Sequence, residues 1–178
     1  MKTVAVVVGS VRKGSINQAL ARALEKLAEG RLAFDFLPTG ELPLYNGDLE
    51  AEPPAVLWDF KARVEAADGV LFVTPEHNRS VSAMTKNAID WASRPAGSNS
   101  WAGKKAAVCG ASPGARGADL AQMHLRQIVV PLDIRMMSQP EAYTRVLEGT
   151  ISPEHQFTDE RDQQRFERFI DALEAWLA

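Results

Sequence analysis

The stretch Thr3-Val4-Ala5-Val6-Val7-Val8-Gly9-Ser10-Val11-Arg12-Lys13-Gly14-Ser15-Ile16-Asn17 decides the fold. Thr3–Val8, apolar without a break from Val4, reads as a strand buried on both faces. A polar turn follows, and Ile16, Leu20, Leu24 and Leu27 then recur at helical spacing. The unit is therefore strand, loop, helix. Working outward, the same alternation continues. Leu32–Leu37 reads as a second, shorter strand, and Pro38–Pro54, rich in Pro and Gly, as a long loop. Val56, Phe60 and Val64 mark a helix, and Gly69–Thr74 a third strand. Met84, Ala88 and Trp91 suit a helix ending near Arg94-Pro95, since the residue before proline is pushed out of the helical region. Lys105–Gly110 is a fourth strand, Leu120–Val130 a helix stopped by Pro131, and Ile134–Met137 a weak fifth strand. Phe166, Phe169, Ile170, Leu173 and Leu177 give a final amphipathic helix.

Five strands alternating with helices predict an α/β fold, a doubly wound parallel sheet with helices on both faces. The common strand order for five is 2-1-3-4-5, and one domain over residues 1–178 is expected. Ligands in such sheets sit beyond the carboxyl ends of the strands, where the order reverses between strands 1 and 3. The loops to inspect follow Val8, Thr74 and Gly110.

Composition narrows the partners. The chain has 178 residues, 46% apolar and 24% charged, an ordinary globular balance. A net charge of −3 argues against nucleic acid or an anionic membrane as partner. Cys109 is the only cysteine and lies in an apolar run, so it reads as core and no internal disulfide forms. No run approaches the roughly 20 apolar residues of a membrane span. The N-terminal strand lacks a signal peptide's length and cleavage site, so a cytoplasmic home is expected.

The first loop, Gly9 to Asn17, runs from a buried strand into a helix N-terminus, whose free amides and partial positive charge suit a phosphate. Ser10, Ser15 and Asn17 can add hydrogen bonds, and Arg12 a charge-assisted one. Gly9 and Gly14 have the spacing of an NTPase phosphate loop, but Ser15 stands where that loop needs lysine. The dinucleotide fingerprint Gly-x-Gly-x-x-Gly is absent. Ser15-x-x-Gln18 alone would serve as a capping box, but a cap does not explain Arg12. The second loop is Thr74-Pro75-Glu76-His77-Asn78-Arg79-Ser80, whose main chain suits a flat polar heterocycle and also suits a plain turn. No second His and no Cys lies near His77 in sequence, so no metal is expected. The third loop, Gly110-Ala111-Ser112-Pro113-Gly114-Ala115-Arg116-Gly117, has small residues that permit close approach of a ligand.

Together these loops carry a resemblance. Gly-Ser-x-Arg-x-x-Ser-x-Asn after strand 1, Thr-Pro-Glu-x-Asn after strand 3, and Lys86-Asn87-Ala88-Ile89-Asp90-Trp91 resemble the NADPH-dependent FMN reductase family. Pro43-Leu44-Tyr45 and His124-Leu125-Arg126-Gln127 extend the likeness over most of the chain. It implies a flavodoxin-like fold, FMN as cofactor and NADPH or NADH as electron donor. It also implies that Ser10, Arg12, Ser15 and Asn17 hold the FMN phosphate, and that Pro75, Glu76, His77 and Asn78 line the ring. Ser112 and Gly114 would close the other side. The sequence departs from the family pattern at His77, commonly Tyr, and at Ser82-Ala83, usually Pro-Gly.

The resulting expectation is an NAD(P)H oxidoreductase reducing quinones, azo compounds, chromate or free flavin. Flavin carries the chemistry, so no catalytic side chain is assigned. The alternative is a flavodoxin-type electron carrier, though carriers of that type tend to be strongly acidic. A third class, a flavin-free regulatory protein on the same fold, follows from fold not fixing function. A homodimer or homotetramer is expected, with Trp91, Trp101 and the Leu120–Val130 helix supplying apolar surface.

Overall fold

The apolar runs become the centre of one parallel sheet in the computed structural model, which describes residues 1–178. In chain order the elements are β1 (Lys2–Val8), α1 (Ile16–Leu27), β2 (Leu32–Phe36), α2 (Ala55–Ala66) and β3 (Gly69–Val73). A hairpin follows, β4 (Glu76–His77) and β5 (Ser80–Val81), then α3 (Ala83–Ala92) and β6 (Lys105–Ser112). The chain ends with α4 (Asp119–Ile128), β7 (Arg135–Met136), β8 (Ala142–Arg145) and α5 (Glu160–Leu177).

The sheet order is β2-β1-β3-β6-β7, with β8 also pairing β6, and every one of these pairings is parallel. This is the expected flavodoxin-like order, with one difference at the edge. The fifth position is shared by two short strands: Arg135 and Met136 pair with Lys105 and Ala106, and Ala142–Arg145 pair with Cys109–Ser112. The Pro38–Pro54 segment also holds two 3-10 turns, Thr39–Glu41 and Gly47–Glu50.

Alternate residues of each strand face opposite sides, so both faces need cover. Val4, Val6, Val8, Leu71, Val73 and Cys109 pack under α1 and α5, against Leu20, Leu24, Phe166, Phe169 and Leu173. Ala5, Val7, Val70, Phe72 and Val108 pack under α2, α3 and α4, against Leu57, Phe60, Trp91 and Leu125. Cys109 is fully buried, and burial pushes its thiol pKa far up, so it is an inert core residue as expected. Trp91 and Trp101 are corrected: both are fully buried in the second layer and supply no surface. Their indole N–H groups donate to Pro43 O at 2.7 Å and Ile89 O at 2.9 Å. Single-residue apolarity could not separate this core role from an exposed one.

Lys61 holds the far end of α3. Its ammonium is buried and donates to the carbonyls of Ala92 (3.1 Å), Arg94 (2.8 Å) and Ser98. Burial lowers its pKa, while the helix C-terminal carbonyls accept the charge.

Candidate functional site

Three loops meet where the strand order reverses. The Gly9 amide donates to Val73 O at 2.9 Å and the Thr74 amide to Cys109 O at 3.1 Å, so the loops start in register. A chain of buried hydroxyls then ties the first loop to the second. Ser82 Oγ donates to Gly9 O at 2.6 Å, and Thr85 Oγ1 lies 3.0 Å from Ser82 Oγ and 3.1 Å from Thr74 Oγ1. Ser82 also caps α3, accepting from the Thr85 amide at 3.2 Å. Ser82, one of the two residues of Ser82-Ala83 at which the sequence departs from the resembled pattern, thus both caps α3 and crosslinks the first two loops. A Cβ at Gly9 would stand 2.1 Å from Thr85 Oγ1, so only glycine fits that approach.

Asn17 ties the first loop to the third. Its side-chain amide donates to Ala111 O at 2.9 Å and its oxygen accepts from the Ala111 amide at 3.0 Å. The side chain is buried, with one N–H left over. Asn17 is therefore first a bridge between α1 and the end of β6, across 94 positions of sequence.

The loops enclose a cavity of about 360 Å³. Ser10, Arg12, Ser15, Asn17, Pro75, Glu76, His77 and Ser112 line it, with Ile16, Ala111 and Pro113. Eight of the ten expected site residues therefore come together, and Asn78 and Gly114 lie outside the lining. Asn78 and Arg79 are the two central residues of the β4–β5 turn, at φ 52° and 66°. Positive φ at both defines a type I′ turn, usually marked by Asn-Gly. Arg79 in place of glycine hid this hairpin from sequence reading. Gly114 donates its amide to Ser112 Oγ at 3.0 Å, so these two residues order the third loop locally.

Charge is divided across the cavity. At one end, Ser15 Oγ accepts from the Gln18 amide at 3.3 Å, half of the expected capping box. The first turn of α1 holds no acidic residue. The amides of Ile16 and Asn17 make no hydrogen bond within the chain. Arg12 is exposed and donates only to Lys13 O, at 3.4 Å. This end thus offers uncompensated donors. At the other end, Glu76 turns its carboxylate away from any such role. Glu76 Oε2 accepts from the amides of Leu120 (3.1 Å) and Ala121 (3.2 Å), capping α4 in place of Ala118, which has no side-chain acceptor. His77 is exposed on the hairpin with no side-chain hydrogen bond. Behind the hairpin, Ser80 Oγ and His124 Nδ1 lie 2.7 Å apart, a contact sequence reading missed because α4 is 44 positions away.

The model of the NADPH-dependent FMN reductase family matches residues 1–146. The chain belongs to that family. A 2-hydroxy-1,4-benzoquinone reductase from a Burkholderia species is 45% identical over 174 residues, covering 98% of this chain and 95% of that protein. A quinone reductase of Pseudomonas putida is 46% identical over 176 residues, covering 98% and 94%. FerB, a flavoenzyme NAD(P)H:(acceptor) oxidoreductase from Paracoccus denitrificans, superposes with a TM-score of 0.95 at 49% identity, covering 99% of this chain and 97% of FerB. As a member of the NADPH-dependent FMN reductase family the chain is an oxidoreductase, with FMN as cofactor and NAD(P)H as electron donor. The donor set fits FMN. Free amides and an unpaired guanidinium at one end suit a terminal phosphate, and Pro75, Ala111, Ser112 and Pro113 at the other suit a flat ring.

Proposed function

We propose that residues 1–178 act as one flavin-binding domain that passes electrons from NAD(P)H to a small quinone. Azo compounds, chromate and free flavin are further acceptors of the same kind. The observation that carries the site assignment is the convergence of three loops on one cavity whose donor end has no acidic partner in the chain. Ser10, Arg12, Ser15 and the α1 amides hold the phosphate, and Asn17 positions them while giving its spare N–H. Pro75, Glu76 and His77 support the ring from the hairpin side, with Ser112 on the opposite wall, while Asn78 shapes the hairpin turn and Gly114 orders the third loop through Ser112. Bound there, FMN would supply the redox chemistry, hydride acceptance from NAD(P)H and electron delivery to the acceptor. The chain supplies alignment. Glu76 is committed to α4 and His77 is not held by a partner, so neither is assigned as an essential proton donor. The names of the relatives, two of them quinone reductases, support the acceptor class.

The test is direct. Flavin extracted from the purified protein is expected to be FMN, and anaerobic NADPH is expected to bleach it without a second protein. FAD as the main species would overturn the cofactor site. A flavin that resists NADPH and NADH would favour an electron carrier, which needs a separate reductase.

No helix is long and apolar enough to cross a membrane. We place the enzyme in the cytoplasm, consistent with its one free cysteine. We also propose a homodimer or homotetramer, now supported by other residues than the buried tryptophans. Met123 and Val130 stand exposed on and just after α4. Light scattering is expected to give a multiple of the 19.5 kDa chain mass, and the single-chain mass at micromolar concentration would refute assembly.

A further inference from the structure

Beyond the third loop lies a second groove of about 550 Å³ that the flavin site does not use. Arg116 comes from the end of the third loop, Asp119 from the start of α4, Tyr143 and Arg145 from β8, and Asp162 and Arg165 from the first turns of α5. Tyr143 and Arg145 are two apart on a strand, so they share one face. Both are exposed, whereas Ala142 and Thr144 between and beside them are buried. The groove adjoins the flavin site: Arg145 Nε donates to the carbonyl of Pro113, a lining residue of the first cavity, at 3.0 Å.

The three guanidinium groups are only partly engaged. Arg116 gives Nε and Nη2 to Asp119, at 2.9 and 2.7 Å. Arg165 gives Nη1 to Asp162 at 2.8 Å and to Thr144 Oγ1 at 3.1 Å. Arg145 gives only Nε. Each retains N–H donors, and three arginines against two aspartates leave the groove positive. A planar guanidinium fork matches a phosphate better than a lone ammonium does. Tyr143 adds an exposed aromatic face of the kind on which a purine stacks.

We propose that this groove binds the adenosine 2′-phosphate end of NADPH and makes the enzyme prefer NADPH to NADH. The proposal rests on the reading of the chain as an NAD(P)H oxidoreductase. The dinucleotide lies with its nicotinamide end at the first cavity and crosses the loop of Ser112 to Gly117. Asp119 competes with the 2′-phosphate for Arg116, so its charge limits that affinity.

Calorimetry on the FMN-loaded protein tests this with two probes, adenosine 2′,5′-bisphosphate and adenosine 5′-monophosphate. The bisphosphate is expected to bind about tenfold tighter or better, the worth of one charge-assisted hydrogen bond. Arg116→Gln is expected to remove most of that advantage and to lower the NADPH-to-NADH ratio of kcat/KM by about tenfold. Asp119→Asn is expected to strengthen bisphosphate binding. A folding defect would weaken both variants, whereas a charge effect moves them in opposite directions. Equal binding of the two probes, or an unchanged ratio in Arg116→Gln, overturns the proposal. If neither NADPH nor NADH bleaches the bound flavin, the oxidoreductase reading itself falls, and the dinucleotide groove with it.

Discussion

Arg12→Ala is expected to bind FMN about tenfold to hundredfold more weakly than the unmodified protein. The guanidinium has no carboxylate partner and only a 3.4 Å contact to Lys13 O, so its removal breaks nothing that holds the fold. Its charge stands at a helix N-terminus whose first turn has no acid to neutralise it. A hydrogen bond between charged groups is worth about 1.5–3 kcal/mol, which gives the stated range. Titrating apoprotein with FMN and following flavin fluorescence measures it. The midpoint of thermal unfolding without flavin should stay close to that of the parent. Unchanged affinity would place Arg12 in solvent and make Lys13 the next candidate.

Gly110→Ala is expected to destabilise the protein by about 1–3 kcal/mol, the usual cost of forcing atoms into a packed interior, and to weaken flavin binding as well. A Cβ at Gly110 would lie 2.3 Å from the carbonyl oxygen of Thr74. That obstacle is backbone, at the end of β3, so no side-chain rotation relieves it. The adjustment must push β3 and β6 apart where the second loop departs, shifting Pro75 in the cavity wall. Gly47→Ala makes the control. Its added Cβ would meet only Tyr45 Oη, at 3.7 Å, an ordinary contact, and a change within about 0.5 kcal/mol is expected. Urea unfolding of both variants decides the matter. A Gly110→Ala protein as stable as Gly47→Ala would show that the strands absorb the methyl group.

Much of this architecture could be read from residue order. Val4–Val8, Val70–Val73 and Ala106–Cys109 are buried on both faces, and continuous apolar runs are what such strands require. Their carboxyl ends then point to the candidate site, because the doubly wound order has one reversal. What escaped reading has physical causes. The β4–β5 hairpin lacks a glycine at its second turn position, so its strongest local signal is missing. β8 alternates buried Ala142 and Thr144 with exposed Tyr143 and Arg145, too short and too polar to stand out from a loop. Asn17 and Glu76 carry partners 94 and 44 positions away, and no local pattern announces such bonds. Trp91 and Trp101 failed in the other direction: apolar area does not reveal whether its cover is the same chain or another.

The hydroxyl chain of Ser82, Thr85 and Thr74 has a consequence for how the protein breathes. Opening the first loop frees Gly9 O and leaves Ser82 without its acceptor, in a buried place where water does not replace it at once. The start of α3 then loses its cap geometry, and the turn after Thr74 loses its support. Deuterium should therefore enter the amides of both segments at a common rate, as one cooperative unit of local unfolding, rather than loop by loop.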